Sequence, residues 1–76
     1  MLKANKNSLT EVNESMIEWM PYLQKLDLSY NKIGFVTTLI QKWSESLMIL
    51  KLDHNLLSEV PNEITKLYKL KYLKVS

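Results

Sequence analysis

Asparagine recurs at a fixed interval along the chain, and this interval constrains the fold more than any other feature. Asn7, Asn31 and Asn55 are spaced by 24 residues. Two apolar residues that bracket one polar residue precede each Asn, and a fourth such pair lies near the end of the chain. The four pairs are Leu2/Ala4, Leu26/Leu28, Leu50/Leu52 and Leu73/Val75. A period of this length predicts a solenoid of stacked repeats, in which each turn buries its apolar face against the next.

Further apolar columns keep the same register after each Asn. They are Leu9/Ile33/Leu57, Val12/Val36/Val60, Met16/Ile40/Ile64, Trp19/Trp43/Leu67 and Leu23/Leu47/Leu70. Residues 1–76 are therefore predicted to form a single repeat segment. It divides into a partial repeat 1–22, full repeats 23–46 and 47–69, and a terminal strand 70–76. Because Trp19 and Trp43 share a column with Leu67, both indoles are expected in the core.

Two stretches of the chain match one consensus in full. Residues 23–33 and 47–57 both read LxxLxLxxNxL, and residues 60–70 resemble the pattern LPxEIxxLxxL. At these residues the sequence resembles the leucine-rich repeat family, and the resemblance extends over the whole chain. It implies an α/β fold, a right-handed solenoid with four short parallel strands on the concave side and short helices or 3₁₀ turns on the convex side. We expect the helical segments near 14–19, 38–43 and 62–67, with Thr37 or Thr38 as a cap.

The Asn column has a structural interpretation. Backbone N–H and C=O groups lose their ladder partners where each strand turns inward, and a buried unpaired group is costly. An Asn amide donates and accepts at once, so it can satisfy groups of both kinds. Asn7, Asn31 and Asn55 are therefore predicted to form a structural ladder rather than a binding site.

Few residues are of the types that catalyse reactions or bind metals and phosphates. The chain has no Cys, one His and one Gly, which excludes Cys-based metal sites and glycine-rich phosphate loops. His54 has no second His or Cys to share a metal, and the spacing places no nucleophile beside Asp53 and His54. The sequence predicts a chain without catalytic residues, cofactor or metal.

The alternating residues of the strands point outward and form what we call the concave face. Its rows are Lys3/Asp27/Lys51/Lys74, Met1/Lys25/Ile49/Tyr72 and Asn5/Ser29/Asp53/Ser76, with Lys6/Tyr30/His54 just beyond. One interpretation is a solvated charge ladder in which each Asp meets a Lys. The other is a binding surface, since aromatic residues among charges are typical of interfaces. The candidate partner-binding residues are Lys25, Asp27, Tyr30, Ile49, Lys51, Asp53, His54, Tyr72 and Lys74.

A protein-interaction module that binds a partner on the concave face is the function these features favour. The alternative is a repeat segment of a larger receptor, or of a multidomain kinase or GTPase, whose activity lies elsewhere. Lys66, Lys69, Lys71 and Lys74 alternate with Tyr68 and Tyr72, as in some nucleic-acid or membrane sites. However, the repeat columns send these lysines to different faces, so neither nucleic acid nor membrane is predicted as a partner.

The ends of the chain carry no polar cap of the kind that terminal repeats normally have. We therefore expect capping by neighbouring repeats or self-association, with residues 1–76 being part of a longer protein. The first residues lack the apolar core of a signal peptide, and there is no Cys. These features favour a cytoplasmic location.

Overall fold

A computed structural model describes residues 2–75 and contains a four-stranded parallel sheet. Its strands are β1 (Leu2–Lys3), β3 (Lys25–Asp27), β5 (Ile49–Lys51) and β6 (Tyr72–Lys74), in the spatial order β1-β3-β5-β6. Strands of two or three residues are too short to stand alone, so the sheet exists only because the repeats stack.

The register of the sheet follows the sequence period. Leu2 pairs with Leu26, Leu26 with Leu50, and Leu50 with Leu73, which are steps of 24, 24 and 23 residues. The predicted leucine-rich-repeat architecture is confirmed by this sheet and by the helical segments that follow the strands. The predicted row members Met1 and Ser76 lie outside the described residues.

A second, two-stranded parallel sheet is formed by β2 (Glu11–Val12) and β4 (Phe35–Val36). The Thr37 N–H donates to the Val12 carbonyl and extends this pairing by one hydrogen bond of 2.9 Å. One repeat later the position of Thr37 is occupied by Pro61, which has no N–H to donate to Val36. The hydrogen bond that Thr37 makes therefore has no counterpart one repeat later, and within residues 2–75 the small sheet ends at β4.

Within residues 2–75 the convex side carries one α-helix and two 3₁₀ helices. They are α1 (Glu14–Trp19), η1 (Thr38–Trp43) and η2 (Asn62–Lys66), close to the predicted segments. The Asn13 carboxamide oxygen accepts from the Met16 N–H at the start of α1, and the Thr37 hydroxyl oxygen accepts from the Leu39 N–H at the start of η1. Both caps satisfy N–H groups that a short helix leaves unpaired.

The prediction that Trp19 belongs to the core is wrong, since its side chain is 85% exposed whereas Trp43 is fully buried. The helix types explain the difference. In a 3₁₀ helix residues three apart share a face, so Ile40 and Trp43 both point inward. In an α-helix residues two apart point almost oppositely, so burial of Ile17 in α1 turns Trp19 outward.

The core lies between the sheet and the convex helices and is built from the repeat columns. Trp43 is its largest fully buried side chain, and its indole N–H donates to the Met20 carbonyl at 2.7 Å. That bond satisfies the polar group that an indole brings into an apolar interior. The buried apolar residues are Val12, Ile17, Leu26, Leu28, Ile33, Val36, Ile40, Trp43, Leu47, Leu50, Leu52 and Leu67. No helix in residues 2–75 is long and apolar enough to span a bilayer.

Candidate functional site

Asn31 and Asn55 hold the turns that follow strands β3 and β5. The Asn31 amide nitrogen donates to the carbonyls of Leu28 and Ala4, at 2.9 and 3.1 Å, and its oxygen accepts from the Leu9 N–H. The same atoms of Asn55 contact the Leu28, Leu52 and Asp53 carbonyls and the Ile33 N–H. Each amide therefore joins its own turn to the preceding repeat.

Asn7 occupies the same column but is exposed. Its amide nitrogen donates to the carbonyls of Ala4 and Asn5 within its own turn, at 3.0 and 3.3 Å. Among the described residues its side chain makes no hydrogen bond to a second repeat, unlike those of Asn31 and Asn55. The amide column is thus structural in two turns and only local in the first.

The four-stranded sheet brings the rows of the concave face together across adjacent strands. Lys25 lies beside Ile49, which in turn lies beside Tyr72. Asp27 lies between Lys3 and Lys51 in the neighbouring row. The candidate residues from three strands therefore share one continuous surface, whose side chains range from buried Asp27 and Asp53 to exposed Lys25 and Tyr72.

Asp27 is 4% exposed and is held by the next turn of its own repeat. The Ser29 N–H and the Ser29 hydroxyl both donate to its Oδ1, at 3.1 and 2.7 Å, and the Lys51 ammonium lies 3.8 Å from its Oδ2. Burial raises the pKa of the Asp27 carboxyl. The hydrogen bonds from Ser29 and the charges of Lys51 and Lys3 outweigh burial, so the net pKa lies below the usual aspartate value.

Asp53 is equally buried but has fewer partners. Its Oδ2 lies 3.8 Å from His54 Nε2 and 4.0 Å from the Lys74 ammonium. Its Oδ1 is buried and has no hydrogen-bond partner within residues 2–75. Buried carboxylate oxygens normally have partners, so Asp53 is the less satisfied of the two buried acids on this face. Each aspartate of the face lies within 4.0 Å of a lysine ammonium, but both carboxylates are buried rather than solvated.

Tyr30 and His54 stack on each other where β3 and β5 end. Their ring centroids are 4.2 Å apart and the ring planes differ by 9°. Both residues, and Lys6 at the matching position of the first turn, have a left-handed backbone with φ between 56° and 60°. Gly and Asn adopt this conformation readily, whereas it is strained for a residue as bulky as Tyr.

Comparisons with known proteins agree with this architecture. The family model described as Leucine Rich Repeat matches residues 22–43. Over 63 residues the chain is 40% identical to "Leucine-rich repeat-containing protein 3" of Danio rerio. The chain is a leucine-rich repeat protein. The alignment covers 82% of this chain but 24% of the relative, so the chain spans about a quarter of that protein's length. No solved structure gives a significant match.

Leucine-rich repeats are generally protein-interaction modules without enzymatic activity, and this family assignment suggests the same class for the chain. Residues 2–75 contain no group of three or more His, Asp or Glu side chains placed to hold a metal ion. On the concave face, Asp53 Oδ2 lies 3.8 Å from His54 Nε2, and the His54 ring is stacked on the Tyr30 ring.

Two features of the concave face were not predicted from the sequence. Ser29 holds Asp27 through two hydrogen bonds, and the only sequence signal for this was a hydroxyl residue two positions after an acid. The stack of Tyr30 on His54 could be anticipated only as two aromatic rings 24 residues apart. Their left-handed backbone has no signal of its own, because neither position is Gly or Asn.

Proposed function

We propose that this chain is a non-catalytic protein-interaction module that binds its partner on the concave face. The observation that carries the proposal is the exposed stack of Tyr30 on His54, held on a left-handed backbone. Half of the Tyr30 side chain is open to solvent, at 51% exposure. Its large ring is therefore available to a partner and adds little to the core.

The left-handed backbone presents Tyr30 but does not single it out. The same conformation occurs at Lys6 and His54, at the matching positions, so the turn of each repeat requires it. It costs a residue with a Cβ roughly 1–2 kcal/mol, and Asn or Gly would avoid much of that cost. What distinguishes Tyr30 is a large, half-exposed ring on this turn, and that ring favours a role in recognition over one in folding.

A second cluster on the same face adds apolar area. Ile49 and Tyr72 are direct neighbours across strands β5 and β6, and Tyr72 is 48% exposed. Lys25 and Lys51 lie beside Ile49 on the adjacent positions of the sheet. An aromatic and an aliphatic side chain ringed by charges have the composition of an interface hot spot with its polar rim.

The test is quantitative capture of proteins by the immobilised chain, compared among three forms. The concave variant carries Tyr30→Asn and Tyr72→Thr. The matched control carries Tyr22→Thr and Tyr68→Thr, which removes two exposed tyrosines that lie outside the four-stranded sheet. Mass spectrometry then measures the amount of each captured protein.

We expect at least one captured protein to remain at the parent level with the control and to fall about tenfold or more with the concave variant, since hot-spot truncations commonly cost 2 kcal/mol or more. Circular dichroism establishes that all three forms are folded. Equal retention by the concave variant, or equal loss in both variants, would contradict binding on this face.

A further inference from the structure

Charge is unevenly divided between the concave face and the rest of the chain. The face, together with the row of Lys6, Tyr30 and His54 just beyond it, carries five lysines against two aspartates, a net charge of three positive units. The remainder carries five lysines against six glutamates, one negative unit, which together account for the net charge of +2. The lysines of the face are Lys3, Lys6, Lys25, Lys51 and Lys74. The excess positive charge of the chain is therefore concentrated on the surface proposed to bind a partner.

The burial of the two aspartates increases the positive charge that a partner would meet. Both carboxylates of the face are buried, and Asp27 already accepts a hydrogen bond from the Ser29 hydroxyl. The lysines that pair with them remain accessible, with side chains 34% exposed at Lys51 and 48% exposed at Lys74. Among the described residues, no ion pair joins Lys25 to an acid. An approaching molecule therefore meets ammonium groups, while the carboxylates lie beneath them.

We propose that the occupant of the concave face is an acidic peptide segment of a partner protein, with carboxylates that reach the lysines and an apolar side chain that packs on Ile49 and Tyr72. This inference rests on the proposed function and adds the chemistry of the partner to it. Four parallel strands spaced about 4.8 Å apart span roughly 14 Å, which is the length of four or five extended residues. A short linear segment thus fits the size of the face.

The pattern of charge favours a peptide over a polyphosphate. Along the central row, positive Lys3, Lys51 and Lys74 are interrupted by the recessed Asp27. Spaced carboxylates can avoid that interruption, whereas a nucleic-acid backbone places a phosphate at every step and would lie over the acid as well. The apolar contact between Ile49 and Tyr72 also has a counterpart in a peptide side chain. These features select a carboxylate-bearing protein segment.

The experiment is selection of random phage-displayed peptides on the whole chain, followed by affinity measurements with synthetic copies of the selected peptides. The test variant is Lys3→Glu with Lys25→Glu, and a milder form is Lys3→Gln with Lys25→Gln. The matched control is Lys42→Glu with Lys69→Glu, which makes the same change of charge outside the four-stranded sheet. Tyr30→Asn with Tyr72→Thr reports separately on use of the face.

We expect the selected peptides to be enriched in Asp and Glu. Their affinity should fall about tenfold or more with the Lys3→Glu/Lys25→Glu variant, less with the Gln variant, and little with the control. Raising the salt concentration should weaken binding, because exposed charges are screened. This combination of results would support an acidic partner segment.

Neutral or basic peptides that are lost on Tyr30→Asn/Tyr72→Thr would overturn the acidic chemistry while leaving the proposed function intact. The absence of any peptide whose binding depends on that tyrosine pair or on Lys3 and Lys25 would contradict both proposals. Oligouridylate RNA or phosphatidylserine vesicles that bind the chain as tightly as the peptides, with the same dependence on Lys3 and Lys25, would assign the face to a polyanion and overturn a peptide partner.

Discussion

Tyr30 and Asn31 are neighbours in the chain, yet they belong to two regions with different physical roles. Asn31 is buried and connects four backbone groups of its own turn and of the preceding repeat. Tyr30 is half exposed, carries a strained backbone and contacts another exposed ring. The inner columns determine the fold, whereas we propose that the exposed rings of the concave face serve recognition.

The two tryptophans should show the largest difference between these regions. Trp43→Ala should lower the free energy of unfolding by about 3–5 kcal/mol, because it empties the centre of the core. Trp19→Ala should change it by no more than about 0.5 kcal/mol, since the Trp19 side chain is exposed. Urea denaturation measures both. Similar losses for the two variants would mean that Trp19 also packs in the core.

The Asn column should give the next largest effect. Asn31→Ala leaves buried carbonyl and N–H groups without partners, so we expect a loss of about 1–3 kcal/mol. Asn7→Ala removes only exposed contacts and should cost less than about 0.5 kcal/mol. Thermal melts of the two variants compare them directly, and an unchanged melt for Asn31→Ala would refute its role in joining repeats.

Asp27 should make the free energy of unfolding depend on pH in the acidic range. Its pKa is lowered in the folded chain, so its contribution is present above the aspartate pKa of the unfolded chain and is lost as pH falls through the folded value. Unfolding free energy should therefore decrease as the solution is acidified below about pH 4. Urea titrations at several pH values test this, with Asp27→Asn expected to show a shallower decrease.

Glu45→Gln is the matched control for that experiment, because Glu45 is exposed and lies outside both sheets. It should retain the acid dependence of the parent. An Asp27→Asn variant with the same acid dependence as the parent would show that other groups cause the loss of stability. The charge of Asp27 would then play no part in holding its turn.

Tyr30→Asn should have a small effect on stability, and the sign of that effect is informative. Asn tolerates the left-handed backbone better than Tyr, so relief of strain offsets the lost stacking on His54. We expect the free energy of unfolding to stay constant or to rise by up to about 1 kcal/mol. Calorimetric melting temperatures measure the change, and a clear loss of stability would place Tyr30 among the residues that the fold requires.

The sequence period predicted the sheet because, in a solenoid, residues one repeat apart in the sequence pair on adjacent strands. Leu26, Leu50 and Leu73 fall on adjacent strands at the steps read from the sequence. The period could not separate α from 3₁₀ geometry, because Met16 and Trp19 have the same three-residue spacing as Ile40 and Trp43. That distinction depends on which residue each short helix buries, and it decided the different positions of the two indoles.

The rows of the concave face could be predicted from the sequence, but the burial of its individual side chains could not. Alternation along a strand sends Asp27 outward from the core, and the sequence alone gives no reason for its 4% exposure. Ser29 and the neighbouring lysine side chains cover it, and such coverage depends on rotamers and on contacts between strands. The same limit applies to Asp53, whose unpaired oxygen is a property of packing rather than of composition.

Urea denaturation of one triple variant, Tyr30→Asn with Ile49→Thr and Tyr72→Thr, tests the division between fold and surface most directly. If the inner columns carry the fold, the triple variant unfolds cooperatively with the slope of the parent and a free energy within about 1 kcal/mol of it. A loss of more than about 2 kcal/mol, or a broadened transition, would show that the concave face is itself part of what holds the repeats together.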